Sequence, residues 1–393
     1  MDASSESLLK SVDEVEGGTT VKPEVRSRSR RVFSKLAAWV NWLFGFASIL
    51  VGVALLSVIP ILNFTSFGYL LEASGRVART GKLRAGFIGV QKASVLGSAV
   101  IGTWLCLFPL RFVASVWRDA ELLSPGSDNA AGWRAGLMLV TMLTVWHVSW
   151  ALIRGGRIRY FFWPAPIRFF RWLNEAHEPK EQIDKMLDYC RSLNLPHYFK
   201  IGAMAFGGAV AFLLLPVSIL ILASNLPPAG AGFFSLLGAA ILFPVVLYLP
   251  FLQARFAVDG RFRALFEVRE VRRLFRRSPI AFVISLFVTL LFALPLYLLK
   301  IELPPKELTW LLSLLFVAFI FPARLLTGWA LGRALKRERE GFFLFRWSSR
   351  MASVVVAGFY ILFLYLTQYL SWNGSLSLLE QHAFMVPTPL VGL

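Results

Sequence analysis

The chain has 393 residues, of which 56% are hydrophobic, 15% aromatic and only 16% charged, with a mean hydropathy of +0.62. That leaves too little polar surface to coat a soluble globule of this size, so the expected solvent is a bilayer. A formal charge of +18 would direct a soluble protein towards nucleic acid. Here the basic residues are segregated by loop, anionic lipid headgroups are a sufficient counterpart, and nucleic acid is not an expected partner.

Residues 1–35 are polar and carry Arg26, Arg28, Arg30 and Arg31, a composition expected to form a disordered cytoplasmic tail. Residues 36–393 are expected to form a single transmembrane helical domain. Its first apolar run, about Trp39 to Ile59, is too long for a secretory h-region and reads as an uncleaved signal-anchor. Seven more runs follow, at about Ser94 to Trp117, Trp133 to Ile153, Phe199 to Ala223, Phe233 to Gln253, Ile280 to Leu299, Thr309 to Gly332 and Met351 to Trp372. Each is close to the roughly 20 apolar residues that cross a hydrocarbon core as a helix.

Thirty-six of the 41 Lys and Arg residues fall in five segments, 1–38, 72–92, 154–200, 254–279 and 324–350. The positive-inside rule places these in the cytoplasm and the C-terminus outside. With both 1–38 and 72–92 inside, the chain between Trp39 and Gly75 has to double back. Pro60 and Asn63 supply a candidate break, and Phe64 to Leu71 a returning arm. The alternative is a plain span with an exported tail.

Three basic stretches are expected to form interfacial cytoplasmic segments, near 154–198, 254–279 and 333–350. The first interleaves Arg157, Arg159, Arg168 and Arg171 with Tyr160, Trp163, Phe169, Phe170 and Trp172, a mixture that suits the headgroup zone. In the second, Ala264, Val268, Val271 and Phe275 share one helical face while Arg272, Arg273, Arg276 and Arg277 fall on the other side. That pattern predicts an amphipathic helix lying on the inner leaflet. These eight arginines are the candidate lipid or partner contacts. Pro60, Gly68, Gly75, Arg76 and Arg79 also have a loose echo in Pro322, Gly328, Gly332, Arg333 and Lys336. In the fourth span, Ala203, Gly207 and Ala211 form a small-residue stripe suited to close helix packing.

Chemistry-bearing patterns are sparse. The four histidines are scattered, and the sequence contains neither a phosphate-cradling Gly-x-x-x-x-Gly-Lys-Ser/Thr loop nor a Gly-x-Ser-x-Gly elbow. The two cysteines, Cys106 and Cys190, show no disulfide or metal spacing. No catalytic residue, metal or cofactor is expected. Arg324, near the inner end of its span, is expected to snorkel outwards, and His147 is expected to be a structural residue.

Two stretches carry a resemblance. Ile59-Pro60-Ile61-Leu62 with Gly68-Tyr69-Leu70-Leu71, and Ala254 to Gly260 with the Arg-rich approach to Pro279, resemble uncharacterised multi-pass bacterial inner-membrane proteins grouped as a domain of unknown function. The 154–173 stretch is similar to membrane proteins of planctomycete-type bacteria. This resemblance implies a helical bundle in the bacterial inner membrane and carries no known activity.

The expectation is therefore an all-α polytopic bundle of about eight membrane segments with basic amphipathic cytoplasmic helices. Its function is read as a non-enzymatic accessory or scaffold that binds anionic lipid, or an acidic protein partner, through its cytoplasmic face. The alternative is a permease or lipid transporter with a cavity near Pro60 and Asn63.

Overall fold

In the computed structural model each expected apolar run is helical over nearly all of its described residues, as lipid requires by offering backbone N–H and C=O groups no other partner. The structure describes residues 28–174, 179–298, 309–370, 374–376 and 378. The segment read as a disordered tail lies outside the described residues as far as residue 27. From Arg28 onwards it already belongs to the first helix, since neither Pro nor Gly separates it from the apolar run.

The membrane-length helices are α1 (Arg28–Val58), α3 (Val90–Leu123), α4 (Asp128–Ile153), α8 (Leu195–Ala223), α9 (Pro228–Asp259), α12 (Thr309–Leu335) and α13 (Phe343–Thr367). Shorter elements join them: α2 (Asn63–Thr80), α5 (Ile158–Phe162), α6 (Pro166–Asn174), α7 (Pro179–Ser192), α10 (Val268–Arg277) and α11 (Pro279–Leu298). Helices α10 and α11 together are also long and apolar enough to cross a membrane, but the pair is bent by 114° at Ser278.

The chain does double back after α1. It turns through residues 59–62, with Ile61 at φ 70°, and Ser66 Oγ on the returning α2 donates to the Val53 carbonyl at 2.7 Å. Ile49, Val53 and Ala54 share a core cluster with Tyr69, Leu70, Ala73 and Val77. Eighteen residues make α2 about 27 Å long at 1.5 Å per residue. Every residue from Thr65 to Gly75 is buried, because α2 packs against α8, α9 and α12 at once.

Close backbone approach makes this possible. A Cβ on Gly68 would collide with the Tyr198 carbonyl of α8, and one on Gly202 would collide with the Phe64 carbonyl of α2. Gly328 and Gly332 of α12 give the same access to Ser74 and Ala78. Within lipid, where burying apolar surface brings little gain, such van der Waals contact is what holds helices together. The stripe expected to do this, Ala203, Gly207 and Ala211, faces the other way: Gly207 and Ala211 are exposed and nothing stands within 4 Å of a Gly207 Cβ. Gly202, Ala205, Gly208 and Ala209 are buried instead. Because α8 is apolar all round, hydrophobic periodicity did not distinguish the two stripes.

Candidate functional site

The basic residues gather at one end of the bundle, where α2, α9 and α12 finish and α3, α8 and α13 begin. Arg79 Nη1 donates to the Ala257 carbonyl at 2.7 Å, and Lys336 Nζ to the Thr80 carbonyl at 3.0 Å. The Gly341 amide donates to the Arg276 carbonyl at 2.8 Å. The opposite end is marked by Ser235 Oγ donating to the Tyr365 hydroxyl at 3.3 Å, so α13 runs away from the basic end.

The second candidate segment does not form the leaflet-facing helix expected of it. Val271 and Leu274 of α10 are buried in the main core cluster, and Ala264 belongs to a preceding 3-10 turn, Phe262–Phe266. The apolar face therefore packs on protein, which pulls α10 across the end of the bundle and leaves its arginines outside. Arg272 and Arg273 are exposed, with Arg273 3.9 Å from Glu270. Arg276 is half-buried and 3.7 Å from Glu340, and Arg277 is half-buried. Arg272 and Arg350 stand with Tyr248, Phe251, Phe275 and Phe282 around a cavity of about 280 Å³. The third stretch, 333–350, forms no separate helix. Its ends complete α12 and α13, joined by residues 336–342.

The first candidate segment does lie at the surface. Helix α6 has no buried residue, and Ile167, Phe170 and Leu173 are exposed, as are Phe162 and Trp163 just before it. Phe169 stacks edge-on against Trp146 and Trp150 at 5.3 and 5.2 Å. Arg157, Arg159, Arg168 and Arg171 are all exposed. The two candidate arginine groups thus sit on different parts of the bundle, one carried by helices packed on α3 and α4, the other on α9, α11 and α12.

Sequence reading missed the unit that organises this end. Gly81-Lys82-Leu83-Arg84-Ala85-Gly86-Phe87, Gly156-Arg157-Ile158-Arg159-Tyr160-Phe161-Phe162 and Gly260-Arg261-Phe262-Arg263-Ala264-Leu265-Phe266 share one pattern: Gly, a base, an apolar residue, Arg, two variable residues, Phe. Each follows a helix that packs in the bundle. Each glycine is left-handed, at φ 73°, 62° and 69°, a conformation that an L side chain resists. The base that follows is extended, and its carbonyl accepts from the amide of the fifth residue at 3.1, 2.9 and 2.9 Å. The sixth residue docks on a neighbouring helix: Phe161 fills the space over Gly102, Leu265 that over Gly208, and Gly86 receives Leu325.

The similarity reaches back into the helices. Residues 63–87 and 242–266 are identical at nine positions, among them Tyr69 and Tyr248, Arg76 and Arg255, and Ala78 and Ala257. A search for spaced, degenerate matches would have found this pattern. The two stretches of the looser echo, on α2 and α12, pack against each other. Gly328 meets Ser74 and Gly332 meets Ala78, so the two helices run side by side in parallel.

Four polar side chains complete the picture. Glu72, buried on α2, accepts from Arg76 Nε at 3.0 Å and Arg79 Nη2 at 2.7 Å, with His197 Nε2 3.8 Å away. Arg324 does not snorkel. It is buried, donates to Gln253 Oε1 at 2.7 Å and lies 5.5 Å from the Phe67 ring. His147 Nε2 lies 2.7 Å from the Phe161 carbonyl, which can only accept, so the imidazole clasps α5 as a donor. Asn63 Oδ1, at the candidate break, is buried with no hydrogen-bond partner, while Ile59, Pro60, Ile61 and Leu62 are exposed. Among the described residues no cluster of His, Cys, Asp and Glu is placed to hold a metal ion.

No protein-family model, curated protein or solved structure matches this chain. The architecture itself defines an all-α, multi-pass membrane protein with one strongly basic end.

Proposed function

We propose that this chain is a non-enzymatic accessory or scaffold protein of the bacterial cytoplasmic membrane, whose basic end faces the cytoplasm and holds anionic phospholipid headgroups. The observation that carries this reading is the threefold turn. Each copy sets two exposed bases, Lys82 and Arg84, Arg157 and Arg159, or Arg261 and Arg263, beside exposed apolar side chains such as Leu83, Phe162 and Phe262. Such a side-chain set suits the boundary between acyl chains and phosphates, where each base contributes about 1 kcal/mol against an anionic leaflet. The transporter alternative has less support, since Ile59, Pro60, Ile61 and Leu62 before Asn63 are exposed, and Phe64 after it packs on Phe199 and Phe206 of α8 rather than lining a passage.

The test is lipid selectivity. In vesicles mixing phosphatidylcholine with spin-labelled phosphatidylglycerol, the wild-type protein should favour the anionic lipid, and more weakly as salt is raised. Reversing all six turn bases to Glu should weaken the preference several-fold. An unchanged preference would refute the reading.

A further inference from the structure

The three turns are not equivalent, and the difference lies at their fifth residue. Ala85 and Ala264 are small, and Ala264 is buried against the bundle. The middle copy has Tyr160, whose ring stays half-exposed and forms one wall of a cavity of about 360 Å³. Its other lining residues are Trp150, Arg154, Arg168, Arg171 and Trp172. Three guanidinium groups and three aromatic faces therefore converge on one volume, within the size range of about 300–1,000 Å³ usual for small-molecule sites.

This cluster is held in place rather than left to solvent. Arg154 donates to the Tyr160 carbonyl at 2.7 Å, and its guanidinium stands 5.3 Å from the Trp150 ring and 5.1 Å from the Tyr160 ring. Trp150 is buried and packs at 5.6 Å against Trp172. Among the described residues no carboxylate pairs with Arg154, Arg168 or Arg171. Like charges crowd here, and none of the described carboxylates serves as their counter-ion. Burial, together with the charge of Arg168, lowers the Arg154 pKa, against the opposing influence of Tyr160. Planar guanidinium forks match phosphate oxygens.

A second cavity of about 380 Å³ begins one residue further along α5, lined by Phe161, Phe162, Leu105, Pro109, Leu143 and His147 among others, and is mostly apolar. A cationic chamber and an apolar one on the same five-residue helix match an amphiphile better than a free ion.

We propose that the chamber bounded by Arg154, Arg168 and Arg171 is a specific site for the phosphate of one anionic glycerophospholipid, whose acyl chain lies along α5 towards Phe161 and Phe162. This rests on the lipid-facing orientation proposed above and adds a single, saturable site to it. Arg154 shapes the chamber through its bonds to α5, while Arg168 and Arg171 supply exposed charge that can be removed without disturbing a buried contact.

The experiment is native mass spectrometry of the full chain, released from micelles loaded with phosphatidylglycerol. Wild type should retain one lipid above the nonspecific distribution. Arg168→Gln with Arg171→Gln should weaken retention about twenty-five-fold, taking about five-fold per base at a membrane surface. Arg272→Gln with Arg273→Gln should leave it unchanged, and a thermal melt of each variant checks the fold. Retention lost only in the Arg272 and Arg273 variant would overturn this site while leaving the general lipid reading standing. Absence of a retained lipid in wild type would overturn the site outright. Inorganic phosphate is titrated separately in zwitterionic micelles. Phosphate-dependent stabilisation that is abolished by the Arg168 and Arg171 changes, without lipid retention, would assign the chamber to a soluble phosphoanion and overturn the lipid.

Discussion

Replacing Gly202 by Ala should destabilise the bundle, whereas the same replacement at Gly207 on the same helix should not. At Gly202 the added carbon meets the Phe64 carbonyl of α2, and the reciprocal contact at Gly68 prevents α2 from sliding aside. A backbone cannot rotate away as a side chain can, so α2 and α8 must separate, at a cost near the top of the about 1–3 kcal/mol seen for overpacking. Ala regains up to about 1 kcal/mol of helix propensity over Gly, leaving a net loss of about 2 kcal/mol. Gly207 faces open space and gains the propensity alone. The two variants should therefore differ by about 3 kcal/mol. At roughly 2 °C per kcal/mol for a large chain, that is about 6 °C in thermal unfolding followed by circular dichroism in detergent. Equal melting temperatures would refute the glycine-mediated packing of α2.

The buried Arg324 and Gln253 should behave as a coupled pair. Gln253→Leu removes a hydrogen bond to a buried charge and should cost about 2 kcal/mol. Adding Arg324→Leu should recover most of that loss, because an apolar pair needs no desolvation; a thermal melt showing no recovery would contradict the pairing. Gly260→Ala should lower stability by about 1–2 kcal/mol through backbone strain alone, since its φ is +69° and no atom crowds the position. Gly358→Ala, in open space within α13, is the control and should lose nothing in the same melt.

Much of this architecture is legible in the sequence because lipid enforces it: apolar length alone marks the spans, and the even crossing demanded by two basic segments pointed to the turn at Pro60. Which face of a span looks inwards is harder to read. On α8 the stripe at Ala203, Gly207 and Ala211 and the one at Gly202, Ala205 and Ala209 are equally small, and only the position of α2 separates them. Arg324 misled for a related reason, since its place near a span end is compatible with snorkelling until Gln253 and Phe67 are seen beside it. For α10 the amphipathic pattern is correct, but periodicity does not say whether protein or lipid covers the apolar face. The three turns escaped notice because their identities are spaced rather than contiguous. Their shared backbone, a left-handed glycine followed by an extended base, shows the equivalence at once.

Sidedness of the basic end is the measurement to make first. With Cys106 and Cys190 replaced, single cysteines are placed at Ser124, in the exposed turn between α3 and α4, and at Arg263, in the third basic turn. A membrane-impermeant thiol reagent should label Ser124→Cys in intact cells and reach Arg263→Cys only after permeabilisation. Labelling of Arg263→Cys from outside, with Ser124→Cys protected, would put the basic end on the wrong face of the membrane and contradict a cytoplasmic, anionic-lipid-binding surface.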